Sequence, residues 1–582
     1  MPSIFDGLYI GASGLNVAQN ALNITGNNIA NANTPGYTRE SPNIVEKYPQ
    51  MTQIGAFGLG AQVNSIISAR NQLLDNTLNQ QLSLQSYYQT LNDQLTQVEN
   101  LFNEQNNTGL NTALNNFFNS WQSLSSNPDL ATARQQVIQS GLTLSQTIQS
   151  TYNSLQQLQN NLYSQMTSYV NQINTLAKNI ANINYEIKLA TLAPNQTANT
   201  LVDQRNQLIQ QLQKIANVNV FNTYAPSNQN QALSTSQEDL TILIGGLPIV
   251  SGTTYNKLTT KTTNGQNNNV FFQDSIGNLT DITKQISQGS LGAVIQMASK
   301  KLPDYMNSLN TLSNTIINQV NILHSGGSGL SAYIQTQGTY GIISSTNPIN
   351  QSEQAGVNLP IKDGTLSVNV YDSNNKLVNT ISIPIDANDS FETISNQFNS
   401  AFSQYGISMT LSGITQGNVQ IISNDGYKFS FAGDTSNFLA AIGINTFFTG
   451  TNASNISVNP VIVNDQSKIA AGKSILPGDN SNALAIANLQ TQNVMISNTQ
   501  TINQYYNAFL GKIGSDVQAN QNLLSAQNAL VTQTQNLVSS QEGVSLDEEA
   551  ANLIKYQMAY QASARFISVI DQITQSLINM VQ

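Results

Sequence analysis

Large apolar residues recur every seven positions near both ends of the chain. The first series consists of Leu8, Leu15, Leu22 and Ile29. The second consists of Leu546, Leu553, Tyr560 and Ile567, and it is extended by Ile570, Ile573, Leu577 and Met580. A seven-residue repeat places its members along one side of a helix. The pattern therefore predicts an amphipathic helix at each end, and both helices are candidate strands of a coiled coil.

Local signals at the helix ends agree with these predictions. Ser3 can cap the first helix. Pro35 and Gly36 predict a turn after it, because proline presets the second turn position and glycine supplies the positive φ of the third. The residues from Ser545 to Glu548 form a capping box that predicts the start of the last helix. An apolar series on a terminal helix is more often explained by ordinary bundle packing than by an oligomer interface. Here such a series lies at each end of the chain, which favours the interface.

Long helical patterns fill much of the chain between these ends. Helical periodicity with almost no glycine extends from about residue 71 to 220, and it returns over 302–323 and 483–537. Asn127 and Pro128 predict a break, with Asn127 as a cap and Pro128 at the first position of the next helix. These lengths exceed those of ordinary globular helices. We therefore expect one rod-like bundle assembled from distant segments, with Trp121 packed inside it.

Strand-length apolar runs separate the helical segments. One run, 240–244, precedes a pair of glycines, which indicates a turn. Another run, 365–371, alternates and places Leu366, Val368 and Val370 on one face. Asn374 and Asn375 then predict the turn into a second strand over 377–385. These patterns predict β-rich modules near 223–286 and 326–474.

Composition narrows the classes of function. The 582 residues favour several domains. Only 9% of residues are charged, against roughly 25% in typical soluble proteins. That scarcity suits dense packing of identical copies, although a compositional bias of the genome explains it equally well. A net charge of -10 with 21 Lys and Arg residues argues against nucleic-acid binding.

The residue types that carry catalysis or bind metals are scarce. There is no cysteine, which excludes disulfides, thiolate metal sites and a cysteine nucleophile. The single histidine, His324, excludes zinc motifs with two histidines, and the glycines that follow it predict a solvated loop residue. The glycines from Gly55 to Gly60 lack the spacing of a dinucleotide site and are interpreted as turn residues. We predict no catalytic, cofactor-binding or metal-binding residues.

The sequence lacks an obvious targeting or membrane-spanning segment. Its start has neither the basic patch nor the apolar run of a secretory signal, and no stretch reaches 18 apolar residues. On these features alone we would expect a cytoplasmic protein.

Two terminal motifs resemble those of a known family. Residues 8–22 read LYIGASGLNVAQNAL and residues 27–38 read NNIANANTPGYT. Together they resemble the N-terminal signature of the flagellar axial proteins, the family of rod, hook and hook-associated subunits. Residues 543–565, GVSLDEEAANLIKYQMAYQASAR, and residues 478–489, GDNSNALAIANL, resemble the hook-associated members of this family. The resemblance covers nearly the whole chain, and residues 438–447 carry it within the β modules.

The resemblance implies a structural subunit of the bacterial flagellum at the junction between hook and filament, with no enzymatic activity and no cofactor. It implies export through the flagellar type III system and an extracellular location, in place of the cytoplasmic one. The implied partners are further copies of the chain, the hook protein, a second junction protein, an export chaperone and the export apparatus, with no nucleic acid and no membrane insertion. The implied assembly residues are Leu8, Leu15, Leu22, Ile29, Leu546, Leu553, Tyr560, Ile567, Ile570 and Leu577, with Pro35 and Gly36 at the turn.

The predicted fold is mainly α with β modules. Its terminal helices form an inner coiled coil, a long helical bundle covers them, and β-rich domains inserted in the middle of the chain point outward. The predicted domains are 1–66 with 541–582 for the inner coiled coil, 67–222 with 287–325 and 475–540 for the helical rod, 223–286 for a β-rich domain, and 326–474 for the outer β-rich domain.

Two alternatives remain open. The chain could be a hook or rod subunit, since these share the N-terminal signature, although the long helices over 71–220 and 483–537 argue against this. From a different class, the β modules could belong to a surface adhesin or carry an extracellular hydrolase.

Overall fold

The computed structural model of the chain describes residues 4–52, 55–102, 109–192, 197–224, 238–263, 267–351, 359–414 and 416–581. Long helices lie at both ends of the chain, and β-sheets lie in its middle, which confirms the predicted fold class. Ser3, the predicted cap of the first helix, lies outside the described residues. The predicted division into four domains stays a prediction.

Helices account for most of the regular structure. They are α1 (Ile4–Asn31), α2 (Gln72–Leu101), α3 (Leu110–Ser126), α4 (Ala131–Ala190), α5 (Asn199–Ile215), α6 (Gly289–Gln296), α7 (Leu302–Ser325), α8 (Phe391–Phe402), α9 (Phe438–Ile442), α10 (Pro460–Asn464), α11 (Ser481–Asn488), α12 (Ile502–Glu542) and α13 (Leu546–Val581). The longest, α4, has 60 residues, so the predicted long helices are present.

The strands form small antiparallel sheets. They are β1 (Glu40–Glu46), β2 (Gln50–Thr52), β3 (Gly55–Phe57), β4 (Ala61–Ser68), β5 (Val218–Tyr224), β6 (Glu238–Ile244), β7 (Leu247–Ser251), β8 (Thr254–Tyr255), β9 (Lys257–Thr263), β10 (Asn267–Gln273), β11 (Leu279–Asp281), β12 (Gln335–Ile342), β13 (Gly364–Tyr371), β14 (Leu377–Ile385), β15 (Ile407–Leu411), β16 (Gly417–Ser423), β17 (Lys428–Asp434), β18 (Phe448–Thr449) and β19 (Ser457–Val458). Short antiparallel strands are what runs of four to eight apolar residues between turn residues predict.

Two predictions about helix ends are wrong in detail. Asn127 does not cap the next helix, because its N–H donates to Leu124 O at 3.0 Å and closes the end of α3, whereas α4 begins at Ala131. The helix predicted over 483–537 is interrupted between α11 and α12. Residues 496–498 there have positive φ without any glycine or proline to mark the turn, so the periodicity concealed the break.

The chain folds into two compact units, of which the first contains Met1–Gln94, Asn161–Ser299 and Gln518–Gln582. In this unit α1 lies along α13, β1 pairs with β4, and the strands β5-β6-β7-β8 form a sheet. The two glycines between β6 and β7 have φ of 60° and 81°, which explains why glycine stands at both positions of that turn. Leu78 and Leu82 of α2 pack with Val531 of α12.

The second unit contains Leu95–Asn160 and Lys300–Val517. Its sheets β14-β13-β17 and β12-β16-β15 share one apolar core with α8 and α9. The predicted hairpin of β13 and β14 is confirmed, and Leu366, Val368 and Val370 are all fully buried. Asn375 adopts a φ of 63° in its turn, a conformation that asparagine tolerates.

His324 is not a solvated loop residue, so that prediction is wrong. It lies at the end of α7 and is fully buried. Its Nδ1 lies 2.7 Å from Asn445 O, and its Nε2 accepts a hydrogen bond from Ala470 N at 3.0 Å. Burial lowers the pKa of His324 to about 4. The ring packs beside Trp121, which is fully buried as predicted. The sequence suggested a loop because the glycines begin directly after His324.

Candidate assembly interface

Small residues of α1 carry its contact with α13. A methyl group placed on Gly11 would come within 2.6 Å of Ile567 Cγ1, and one on Gly7 within 3.2 Å of Ile570 Cδ1. A methyl group on Gly14 would come within 2.8 Å of a polar partner on α13, the hydroxyl oxygen of Ser563. Glycine at these positions lets the two helix axes approach closely, and the isoleucines of α13 fill the space that is left.

The glycines belong to a repeat of small residues that lies outside the heptad series of large apolar residues. Gly7, Gly11, Gly14, Ala18 and Ala21 follow one another at intervals of four, three, four and three residues. Such intervals place residues on one helix face. Ala18 and Ala21 are buried, at 2% and 0% exposure. The signal was present in the sequence, but a search for large apolar residues passes over it.

The large residues predicted as assembly contacts on α1 lie beside this face. Leu8, Leu15 and Leu22 are half-buried, and Ile29 is exposed. The heptad of leucines therefore forms a flank of the α1/α13 pair, while the small residues form its centre.

The predicted assembly residues on α13 divide into two groups. Ile567 and Ile570 are half-buried against α1. The others are exposed, with Leu546 at 56%, Leu553 and Tyr560 at 37% and Leu577 at 49%. Thus α1 covers only part of the apolar surface that the sequence pattern assigned to α13.

Further large apolar side chains are exposed around α13. The heptad pattern does not include Ile554, Met558, Phe566, Val569 and Ile578, which are between 43% and 60% exposed. On an ideal helix these residues and the predicted ones spread over most of the circumference. A helix that is apolar on most sides is typical of one that becomes buried. The first unit therefore presents an apolar surface that is suited to covering by other subunits.

The turn after α1 is anchored by the last part of that helix. Pro35 and Gly36 occupy the centre of the turn, which is closed by a hydrogen bond of 3.2 Å from Tyr37 N to Thr34 O, and Gly36 has a φ of 76°. Asn28 is buried, and its side chain accepts from the Tyr37 hydroxyl at 2.8 Å.

The same asparagine fixes the start of strand β1. The Asn28 amide donates to Glu40 O at 2.8 Å and accepts from Glu40 N at 3.0 Å. Because the amide pairs with both backbone groups of Glu40, it replaces a strand neighbour there. The polar part of the N-terminal motif thus sets the direction in which the chain leaves α1.

A largely buried ionic cluster holds the base of the β1/β4 hairpin. We call Thr38, Arg70, Asp75 and Asp203 the root cluster. Arg70 pairs with Asp203 at 2.8 Å, pairs also with Asp75, and donates to the Thr38 hydroxyl at 2.7 Å. The N–H of Thr38 completes the ring by donating to Asp203 Oδ2 at 3.1 Å. Burial raises the pKa of Asp203, although its contacts with Arg70 oppose that rise.

The root cluster joins segments that are distant in sequence. Asp75 belongs to α2 and Asp203 to α5, so one arginine ties two helices to the hairpin. Arg70 and Asp203 are 133 positions apart. Sequence reasoning missed this cluster because no local pattern relates charges at such separation.

A second set of contacts fixes the junction between α12 and α13. The N–H of Arg39 donates to Glu542 O at 2.9 Å, and the N–H of Asn71 donates to Glu542 Oε1 at 2.8 Å. The Arg39 guanidinium also pairs with the carboxylate of Glu548. Burial raises the pKa of Glu542. Since only residues 543–545 separate the two helices, these contacts set the direction in which α13 starts.

Ser545 begins α13 in the way that the sequence predicted. Its hydroxyl accepts from Glu548 N at 3.4 Å. The carboxylate of Glu548 pairs with Arg39, however, so the second half of the capping box is replaced by an ion pair to the hairpin.

The described part of the chain shows neither a metal-ion site nor a membrane-spanning helix. Within it, no group of three or more His, Asp or Glu side chains is arranged to hold a metal ion. Among the helices of that same part, none is long and apolar enough to cross a membrane.

Three family models match the sequence. The model described as the flagellar hook-associated protein FlgK helical domain matches residues 95–339. The model of the flagella basal body rod protein matches residues 8–38, and that of the flagellar basal body rod FlgEFG protein C-terminal region matches residues 538–580. The second match covers most of α1 and the turn after it, and the third covers the end of α12 and most of α13.

Curated relatives are similar over the full length of the chain. The flagellar hook-associated protein 1 of Escherichia coli (strain K12) is 26% identical over 579 residues, which cover 98% of both chains. The protein of the same name from Bacillus subtilis (strain 168) is 26% identical over 593 residues, covering 100% of this chain and 99% of the relative.

A solved structure has a similar fold. It is that of the flagellar hook junction protein FlgK from Burkholderia pseudomallei, with a TM-score of 0.50 and 16% identity. The superposition covers 80% of this chain and 100% of that chain.

Proposed function

We propose that this chain, which belongs to the flagellar hook-associated protein 1 family, is a structural subunit of the bacterial flagellum at the junction between hook and filament. The observation that carries the proposal is the agreement between full-length similarity and the exposed apolar surface of α13. A structural protein of this kind takes part in the axial assembly together with other flagellar proteins.

The assembly mechanism is burial of the α1/α13 pair between neighbouring subunits. Complete burial of a large apolar side chain contributes roughly 1.5 to 3 kcal/mol. Leu546, Leu553, Tyr560 and Leu577 are between 37% and 56% exposed. Burial of the part that is still exposed therefore contributes on the order of 1 kcal/mol for each residue on assembly. Ordering of side chains offsets part of this gain.

The root cluster and the α12–α13 junction give this pair a defined direction. Both act on the hairpin between α1 and α2, so the two terminal helices are tied to the same hairpin within the first unit. In this proposal residues 1–66 and 541–582 form the inner layer of the tube, and the β modules of the remaining domains face outward.

The individual partners that we propose are those expected for the family. They are further copies of the chain, the hook protein on one side and the second junction protein on the other. We also propose that the chain is exported through the flagellar type III system. A chaperone holds the last helix before export.

The test is a charge placed on the exposed side of α13. We expect Leu553→Asp with Tyr560→Asp to prevent incorporation, because assembly would bury two carboxylates in an apolar contact. The matched control is Gln557→Asp with Gln561→Asp, which adds the same charge at exposed polar positions of the same helix. Each variant is expressed in cells that lack the native gene.

Electron microscopy and an assay for flagellin in the medium give the result. Bare hooks with released flagellin for the first variant, and filaments for the control, would support the proposal. Normal filaments with the first variant would show that the interface is wrongly assigned. Cells without the gene that lack hooks would move the function to a hook or rod subunit, and normal filaments in those cells would favour the adhesin.

A further inference from the structure

A column of leucines on α12 remains exposed in the first unit. Leu523, Leu530 and Leu537 are 49%, 46% and 48% exposed. They are seven residues apart and span about 21 Å of helix. Single exposed leucines are normal on protein surfaces, but a column at heptad spacing is typical of helix-to-helix contact.

Within the first unit, α12 contacts α2 through other residues. The side chains of Asn520 and Gln527 donate to the backbone oxygens of Tyr88 and Gln81 at 2.9 and 3.0 Å. Val531 completes this face with the leucines of α2. The leucine column lies to one side of this face, and each leucine is about half exposed.

The segment of α12 that carries the column has no charged residue. The segment from Val517 to Gln541 contains no Asp, Glu, Lys, Arg or His, although the whole chain has a net charge of -10. A partner that recognises this chain by charge would find nothing to pair with on this part of α12. A second copy of the chain, by contrast, could approach here without local repulsion between like charges.

The column also continues toward the surface proposed for assembly. Only residues 543–545 separate α12 from α13, where Leu546 is 56% exposed and Leu553 is 37% exposed. Neighbouring subunits can therefore contact the apolar surfaces of both helices.

We propose that the column of Leu523, Leu530 and Leu537 is a second contact surface for a neighbouring copy of this chain. This inference rests on the proposed function, since it requires copies held side by side in a tube. The contact is heterologous, because two identical columns facing each other would close a pair, whereas a ring needs two different surfaces. The column is short, and it acts only together with the contacts of α13.

A photocrosslinking residue at position 530 tests the contact in intact flagella. We use p-benzoylphenylalanine in the full-length chain, with the same residue at position 521 as the control. Gln521 is exposed on the same helix, and the nine intervening steps of 100° place it on the side opposite Leu530. Mass spectrometry identifies the crosslinked peptides.

We expect position 530 to crosslink to a peptide of this same chain, in a product of twice the chain's mass, only in purified flagella. Position 521 should not do so. If the protein is present in the flagella but position 530 gives no such product, or crosslinks to a different protein, the inference fails while the proposed function stands. If the protein is absent from the flagella, the proposed function itself fails.

A pair of substitutions gives an independent readout. Leu530→Asp should cause loss of incorporation, whereas Gln521→Asp should be incorporated like the unaltered protein. Circular dichroism of the purified variants shows whether they fold. A folded Leu530→Asp protein that is incorporated normally would overturn the inference.

Discussion

Replacing Arg70 by methionine tests whether the root cluster holds the first unit together. Methionine keeps much of the volume of the arginine stem but removes the charge and every hydrogen bond. Asp75 and Asp203 then lose their cationic partner, while their side chains are only 13% and 10% exposed. Asp203 keeps the N–H of Thr38 as a donor.

The expected loss of stability follows from this burial. Removing one partner of a buried ion pair costs about 3 to 5 kcal/mol, and the residual exposure here favours the lower end, about 3 kcal/mol. The loss should also depend on pH. Because burial already raises the pKa of Asp203, removing Arg70 raises it further. Protonation then relieves the uncompensated charge, so the loss should be smaller at pH 5 than at pH 7.

The single tryptophan gives the assay an internal reference. Trp121 lies in the second unit, so its fluorescence follows unfolding of that unit, whereas circular dichroism at 222 nm follows helices of both. In thermal unfolding, one transition should be detected only by circular dichroism. We expect Arg70→Met to lower the midpoint temperature of that transition by about 5 °C or more. The midpoint temperature of the transition that Trp121 fluorescence follows should not change.

Two results would refute this reasoning. A loss below about 1 kcal/mol at pH 7 would place the cluster with ordinary surface ion pairs. A loss that is equal at pH 5 and pH 7 would show that an unpaired carboxylate is not its cause. Lys300→Met is a suitable control, because Lys300 forms an exposed pair with Asp304.

Two further predictions concern single positions. Gly11→Leu should loosen α1 from α13 and speed proteolysis of α13, since overpacking costs about 1 to 3 kcal/mol and a Cβ there already lies 2.6 Å from Ile567. Gly26→Leu is its control, having nothing within 4 Å, and equal protection of both variants would contradict the packing. The buried His324, with a pKa of about 4, should make the second unit less stable as pH falls from about 6.5 to 4, because the unfolded chain binds the proton first. Tryptophan fluorescence in urea measures this loss, at most about 3 kcal/mol, and parallel pH profiles for the unaltered protein and His324→Gln would contradict it.

Local patterns were sufficient for the fold class and for much of the secondary structure. The alternation of Leu366, Val368 and Val370 predicted a buried strand face because side chains in a strand alternate regardless of what covers them. The heptads predicted both terminal helices for a similar reason. The break between α11 and α12 was missed because positive φ at residues 496–498 is not accompanied by glycine.

The candidate interface was only partly accessible in this way. The heptad identified α13 as a helix with a large apolar surface, but it did not identify Gly7, Gly11 and Gly14 as the centre of the contact with α1. Close approach of two backbones selects for the absence of side chains, and a search based on hydrophobicity gives such positions no weight.

The sequence by itself therefore determined the type and approximate extent of the elements, the resemblance to flagellar axial proteins, and the presence of apolar helices at both ends. Only the tertiary structure decided which side of α13 is covered, that Arg70 meets Asp203, and that His324 is buried. The physical reason is that periodicity reflects the geometry of one element, whereas burial and charge pairing depend on a second segment brought there by the fold.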